Sequence, residues 1–260
     1  IDAPCGPPDA GEGDGASHAR RPAMLRMIGR LPGIASSADG QDWRFAVSRL
    51  NASSMVPTRR WDLNDHAAGA LTSSAIEGAA YGGFVCGAHQ YDSEAFGIGL
   101  SEAAMMNKHQ LIILEQSYHS THAAGHTRVS LAGAGTGVLV AAAGTAGGAM
   151  AAGHGCSETP KPSVYGATGH TLSVACGRLS HLLGLTGPCL SVDTACSATP
   201  AAMHLTCDAL SLRECCSAVV CAAGLMLDAG ANVLTSVAGM LSPAGQCHTF
   251  DGRADGYSRA

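Results

Sequence analysis

The stretch that decides the fold covers residues 187–197 and reads Gly-Pro-Cys-Leu-Ser-Val-Asp-Thr-Ala-Cys-Ser. Its apolar first half predicts a short strand over residues 189–192, and the pattern that follows predicts a helix over 197–212. Small residues join the two, so the chain turns sharply at Cys196. Such a junction lifts a side chain out of the layer, as in nucleophile elbows. The unpaired N–H groups and the positive end of the helix dipole favour a thiolate there and can hold an oxyanion.

The segments around this junction predict an α/β layered fold. Apolar residues at three- and four-residue steps predict helices over residues 101–124 and 163–183. Apolar runs predict buried strands over 129–143 and 217–223, and a helical turn is expected over 232–240. Strands and helices therefore alternate with short connections, which is typical of layered α/β domains.

Three other segments carry no helical or strand pattern. Residues 1–23 are rich in Gly, Pro and Asp and predict a disordered lead-in, and they lack the charged-then-apolar order of a secretory signal. Residues 57–81 predict a loop-like region, and residues 147–162 predict a Gly/Pro/Ser loop.

The composition excludes several classes of protein. Apolar residues make up 46% of the 260 residues and charged residues 13%, which is enough apolar material for a buried core. The net charge is −5 with no basic stripe, so nucleic acid is not an expected partner. No run of about 18 apolar residues occurs, so no membrane span is predicted.

The chain contains 11 cysteines but no C-x-x-C spacing, so neither a disulfide framework nor a zinc knuckle is indicated. We expect most of these thiols to be small buried hydrophobes in a reducing compartment, the cytoplasm or a plastid. For Cys215, Cys216 and Cys221, core packing is favoured over redox activity because they lead into an apolar strand.

Two further patterns have a structural and a functional interpretation. Glycines at 133, 135 and 137 suggest a dinucleotide loop, but they precede an apolar run and miss the full spacing, so the structural interpretation is preferred. His119, His122 and His126 would share a helix face and could bind a metal. Because Gly125 is expected to end the helix, a solvated helix end is preferred.

The residues at 193–197, Asp-Thr-Ala-Cys-Ser, resemble the active-site signature of β-ketoacyl synthases of the polyketide type. The lead-in to that signature matches at Gly177-Arg178-Leu179-Ser180, Gly184-Leu185 and Gly187-Pro188. Ordered matches extend over residues 24–260 and include Arg30–Gly33, Arg60-Trp61-Asp62, Gly82-Gly83-Phe84, Tyr91-Asp92, Glu94–Ile98, Glu102-Ala103, Leu114-Glu115, Phe250-Asp251, Ala254–Tyr257 and Arg259.

This resemblance implies a thiolase-like layered α-β-α fold, of which residues 24–260 form the first of two similar halves. It implies that Cys196 accepts an acyl group, with its own backbone N–H in the oxyanion hole. Asp193, Thr194, Ala195 and Ser197 would support the turn, with Asp193 accepting backbone N–H bonds. No metal or directly bound cofactor is implied, because an acyl carrier protein delivers the phosphopantetheine arm. A homodimer is also implied.

The resemblance places the two assisting histidines in the family's second half, beyond residue 260. We therefore expect a truncated domain that is inactive by itself. Pro200 departs from the usual apolar helix residue, and Leu111 replaces an Arg of the family. Two alternatives remain open: a non-catalytic scaffold or pairing module, and a Cys-dependent hydrolase that uses a His of this chain.

Overall fold

The computed structural model describes residues 22–24, 28–29, 32, 51–58, 60–63, 73–88, 90–142, 164–227 and 229–260. These residues belong to two compact units. The first unit includes residues 91–142 and 164–223, and the second includes the described residues of 28–90 together with 224–260. The predicted lead-in over 1–23 and the predicted loop over 147–162 lie almost entirely outside the described residues.

The first unit contains a parallel sheet and helices on both of its faces. Its strands are β3 (Thr136–Ala141), β4 (Cys189–Val192) and β5 (Ser217–Ala222), in the order β4-β3-β5. Its helices are α2 (Leu100–Met105), α3 (Lys108–Ala123), α4 (Arg128–Leu131), α5 (Gly166–Gly169), α6 (Leu172–Leu183) and α7 (Ala198–Ser211), with a short 3-10 helix at Glu94–Phe96.

Strand β3 is buried along its whole length because it is the central strand of this sheet. Side chains of a strand alternate between its faces. Val138 and Val140 join the cluster that includes Leu114 and Leu179, whereas Leu139 packs with Ala198 and Ala202 of α7. Helices α3 and α6 therefore cover one face and α7 the other, which confirms the predicted α-β-α layering.

The predicted helix over 101–124 is interrupted. Met106 and Asn107 are extended, and Asn107 begins α3 by accepting a hydrogen bond from the backbone N–H of His109 at 2.9 Å. The cap stops α2 from running into α3. Leu111, which replaces the family's Arg, is buried in the main apolar cluster, so an apolar residue suits this position.

The predicted strand over 129–143 is wrong in its first third. Residues 128–131 form α4, because Thr127 and Ser130 make a reciprocal capping box. The Thr127 hydroxyl accepts from the Ser130 backbone N–H at 3.2 Å, and the Ser130 hydroxyl accepts from the Thr127 N–H at 2.9 Å. Local capping thus outweighs the apolar run, and the strand begins only at Thr136. Gly133 and Gly135 precede the strand as expected, whereas Gly137 lies inside it, so that expectation is wrong for Gly137.

Other predicted boundaries shift less. The helix predicted over 163–183 consists of α5 and α6. Helix α6 ends at Leu183 and is followed by a C-cap, Gly184, in the left-handed region (φ 69°). Strands β4 and β5 and helix α7 lie where the sequence predicted them. The predicted turn over 232–240 is a helix, α8 (Ala229–Val237).

The second unit corrects the predicted loop over 57–81. It contains the helix α1 (Ser73–Ala79) and an antiparallel pair of strands, β1 (Ser53–Met55) and β2 (Tyr81–Gly83). Helix α8 packs on α1, where Asn232 donates to the Ala79 carbonyl at 2.8 Å and Ser236 donates to the Ala75 carbonyl at 2.7 Å. Small residues and hydroxyls, not an apolar stripe, hold this pair, so periodicity did not reveal α1.

The expected burial of most cysteines is contradicted. Of the free cysteines in the described residues, Cys176, Cys215 and Cys221 are buried, and five are exposed: Cys86, Cys189, Cys196, Cys207 and Cys247. The predicted core packing holds for Cys215 and Cys221, but Cys216 is exposed and disulfide-bonded. These two residues lie just before β5 and have different environments, because Cys215 is buried and Cys216 is exposed.

Candidate active site

The strand that leads to Cys196 depends on a close backbone approach. Gly187 lies against β3, where an added Cβ would come within 2.5 Å of the Thr136 carbonyl carbon. The Pro188 carbonyl then accepts from the Val138 N–H at 2.7 Å, and β4 pairs in parallel with β3 from Cys189 onward. Glycine therefore lets the strand enter the sheet at this register, which places Cys196 just beyond its carboxyl end.

The turn itself is held by its own polar groups. Asp193 Oδ1 accepts a hydrogen bond from the Ala195 N–H at 3.0 Å, as predicted for this side chain. The Ser197 hydroxyl donates to the Thr194 carbonyl at 2.8 Å and to the Thr194 hydroxyl at 3.0 Å. Ala195 has φ 55°, a left-handed conformation that costs an L-residue about 1–2 kcal/mol. These bonds hold the strained turn.

Helix α7 begins immediately after this turn. The side chain of its N-cap residue, Ser197, makes no capping bond to the helix because it is engaged with Thr194. The first-turn N–H groups are therefore not taken by that side chain. Pro200 is the third residue of α7 and falls in the first turn, where a missing N–H breaks no helical hydrogen bond. This departure from the family pattern is compatible with the helix.

Cys196 lies in the short 3-10 helix Ala195–Ser197 between β4 and α7, with a free and exposed side chain. Within the described part of the chain, its thiol makes no hydrogen bond to another side chain. A thiol at the carboxyl end of a parallel strand and the N-terminus of a helix is placed to attack an electrophile from solvent.

Within the described residues, no hydrogen bond or ion pair joins a histidine to Cys196. His204 is exposed on α7 and pairs with Asp208 at 3.5 Å. It lies eight residues past Cys196, which corresponds to about 12 Å along a helix axis. His122 packs beside the Tyr118 ring, and helix α3 ends at Ala123 before His126. In the ranges that the structure describes, no group of three or more His, Cys, Asp or Glu side chains could hold a metal.

The sequence identified Asp193, Thr194, Ala195 and Ser197 as turn residues and predicted the role of Asp193, but it did not show how Thr194, Ala195 and Ser197 act. The left-handed backbone of Ala195 carries no compositional signal, because glycine or asparagine would be the usual marker of such a position. The second Ser197 bond, to the Thr194 hydroxyl, could have been anticipated from the pairing of two hydroxyl residues three positions apart.

Residues 24–260 match the family model of the β-ketoacyl synthase N-terminal domain. Over 242 residues the chain is 36% identical to a phenolphthiocerol/phthiocerol polyketide synthase of Mycobacterium tuberculosis, covering 92% of this chain and 15% of that protein. It is 33% identical over 238 residues to a mycocerosic acid synthase-like polyketide synthase of Mycolicibacterium smegmatis, covering 92% of this chain and 11% of the relative.

Solved structures agree with these relatives. The fold matches a ketosynthase from module 6 of the bacillaene synthase of Bacillus subtilis with a TM-score of 0.76 and 28% identity, covering 91% of this chain and 38% of that one. An oxazolomycin ketosynthase domain of Streptomyces albus matches with a TM-score of 0.73 and 26% identity, covering 89% and 39%.

The chain belongs to the β-ketoacyl synthase family and corresponds to the N-terminal part of a polyketide synthase ketosynthase domain. It spans only a small part of the length of the relatives it matches. No helix in the described segments is long and apolar enough to cross a membrane.

Proposed function

We propose that this chain supplies the nucleophile of a decarboxylative condensation, with Cys196 as the residue that carries the growing acyl chain. The observation that carries this proposal is the position of an exposed, free thiol between a strained turn and the start of α7. A purely structural cysteine would not need a strained backbone to present it to solvent.

In the first step the Cys196 thiolate attacks the carbonyl carbon of an acyl thioester on the phosphopantetheine arm of an acyl carrier protein. The negative charge on the carbonyl oxygen would be held by the backbone N–H of Cys196. Collapse of this intermediate breaks the bond to the pantetheine sulfur, which leaves as a thiolate and takes a proton from water, and the acyl group stays on Cys196.

In the second step a malonyl group on a carrier protein loses carbon dioxide and becomes an enolate. Its carbon attacks the acyl-Cys196 carbonyl, and the bond to sulfur breaks to restore the thiolate. The resemblance assigns proton transfer and enolate stabilisation to two histidines of the family's second half. The contribution of this chain is therefore the acyl-enzyme, which is measurable without the second step.

The partners of this proposal are an acyl carrier protein and a second copy of the ketosynthase. Helix α7 buries a narrow stripe of small residues, among them Ala198 and Ala202, against the sheet. Its outer side leaves Met203 40% and Leu205 42% exposed. Residues two apart on a helix lie about 200° apart, so these two side chains flank the exposed face of α7 on either side. A protein segment that covers this face would contact both.

The proposal is tested by acylation. The chain is incubated with an acyl-pantetheine thioester, and its intact mass is followed over time. One acyl group is expected on the wild type and none at this position in Cys196→Ala, because no other described thiol lies at a strand-to-helix turn of this kind. Cys207→Ala is the matched control, since Cys207 is an exposed thiol within α7 and its loss should leave acylation unchanged.

Acylation of Cys196→Ala at the wild-type rate and site count would refute the proposed role. The scaffold alternative is favoured by the exposed apolar side chains of α7 and predicts carrier-protein binding or self-association without any acyl-enzyme. Steady hydrolysis of the thioester, instead of one stable acyl group, would indicate the hydrolase alternative.

A further inference from the structure

Besides Cys196, the first unit contains a pair of thiols on neighbouring elements. Cys176 lies on α6 and is buried, whereas Cys189 is the first residue of β4 and is exposed. Both are free. A soluble oxidant can therefore react first with the exposed Cys189, and the buried Cys176 can react afterwards.

The alignment of α6 with β4 brings these two sulfurs together. The Ser191 hydroxyl of β4 donates to the Leu172 carbonyl of α6 at 2.8 Å, which marks one point where the two elements meet. Cys176 lies four residues further along α6, or about 6 Å along a helix axis. Cys189 lies two residues back along β4, on the same strand face as Ser191 and about 7 Å away.

Because a helix that packs on a parallel sheet runs antiparallel to the strand, a step forward along α6 and an equal step back along β4 lead in the same direction in space. The two thiols therefore lie opposite each other. Consistent with this, Cys189 pairs in register with Val138, which packs in the same apolar cluster as Cys176. Cys176 and Ser180, one helical turn apart on α6, are also the side chains that shift the pKa of the Cys189 thiol. The Cys176 thiol also donates to the Ser173 carbonyl at 3.4 Å. The sulfurs are therefore neighbours across a helix–strand contact whose two elements are packed together.

We propose that Cys176 and Cys189 form a redox-active dithiol that closes to an intramolecular disulfide by exchange with a small-molecule disulfide such as oxidised glutathione. The Cys189 thiolate attacks one sulfur of glutathione disulfide, and one glutathione leaves as a thiol. Cys176 then loses its proton to solvent and attacks the Cys189 sulfur of the mixed disulfide, which releases the second glutathione. Two protein thiols are oxidised, and one disulfide is reduced to two thiols.

The same surroundings set the rate of this exchange. Partial burial of the sulfur, followed by the neighbouring Cys176 thiol, raises the pKa of Cys189 to about 11, while the Ser180 hydroxyl lowers it in part. The Cys189 thiolate is therefore scarce near neutral pH. The exchange is slow, and the disulfide forms only under sustained oxidising conditions. The disulfide would tie α6 to β4, which ends at Val192, just before the turn of Cys196 begins at Asp193.

The experiment follows the disulfide itself and does not depend on acylation. The 260-residue chain is incubated with oxidised glutathione, the remaining thiols are alkylated, and the protein is cut with trypsin and a protease that cleaves after Glu and Asp. This digestion gives the peptides 159–178 and 179–193, each of which contains a single cysteine of the pair. The expected product is these two peptides joined and lacking two hydrogens.

Variants distinguish the proposed order of events. Cys176→Ser should trap the intermediate, so residues 179–193 carry one glutathione and no crosslink. Cys207→Ser, which removes an exposed thiol on α7, should form the crosslink as the wild type does. A wild type that accumulates the mixed disulfide at Cys189 without closing, that links Cys189 to another cysteine, or that leaves both thiols reduced would overturn the proposal.

Discussion

The strain at Ala195 leads to a prediction about both stability and acylation. Ala195 has φ 55°, and a left-handed conformation costs an L-residue about 1–2 kcal/mol. Ala195→Gly removes this cost, but glycine gains freedom in the unfolded chain worth about 0.5–1 kcal/mol. The difference predicts that Ala195→Gly stabilises the protein by about 0.75 kcal/mol, within a range of about 0–1.5 kcal/mol, which corresponds to roughly 1.5–3 °C in Tm at the midpoint for a chain of this size.

The matched control is the same substitution inside a regular helix. Ala201 lies within α7, where glycine costs about 1 kcal/mol relative to alanine, so Ala201→Gly should lower the Tm by roughly 2–4 °C. Thermal unfolding of the wild type and the two variants at one pH compares them directly. Opposite signs are expected, and a fall in Tm for both substitutions would show that Ala195 stores no strain.

The acylation assay adds a second measurement on the same variants. If the strained turn presents Cys196 in one conformation, Ala195→Gly should slow formation of the acyl-enzyme while the Tm rises. Ala201→Gly changes no contact of the turn and should leave the acylation rate per folded molecule unchanged. Faster acylation by Ala195→Gly would mean that the turn hinders the thiol and does not pre-organise it.

Two further predictions concern pH and association. The pKa of Cys189 is raised from 9.0 to about 11, so its alkylation should rise tenfold per pH unit until about pH 11 and run about a hundredfold slower at neutral pH than that of an ordinary thiol. Cys176→Ser should make the alkylation of Cys189 faster at a given pH, because only partial burial then raises the pKa of Cys189. An unchanged pH profile would contradict the contact between Cys176 and Cys189. Sedimentation velocity should show self-association of the wild type that Met203→Glu with Leu205→Glu reduces and Val129→Glu, on α4, does not. A compact monomer at every concentration would argue against α7 as a contact surface.

The residues that form the nucleophile turn could be predicted from the sequence because their order along the chain is local. An apolar strand, four small or polar residues and a helix pattern identify β4, Cys196 and α7 without any knowledge of what packs on them. The role of Asp193 was also predictable, since a short carboxylate commonly accepts a backbone N–H two residues on.

Errors arose where short-range or long-range contacts outweighed hydrophobic periodicity. The apolar run over 129–143 contains a capping box that starts a helix, and capping groups need only one turn of chain. Helix α1 has no apolar stripe in its sequence. It is held by side-chain hydrogen bonds from Asn232 and Ser236 of α8 to its carbonyls. Asn232 and Ser236 are more than 150 residues from their α1 partners in sequence, so only the folded chain reveals these bonds.

The sequence by itself determined the family, the α/β class and the cysteine at the strand-to-helix junction, since motif order and local turn chemistry are written along the chain. The tertiary structure alone decided the left-handed backbone of Ala195, the exposure of each described thiol and the packing of α6 against β4. These features depend on contacts between residues that the sequence does not place side by side.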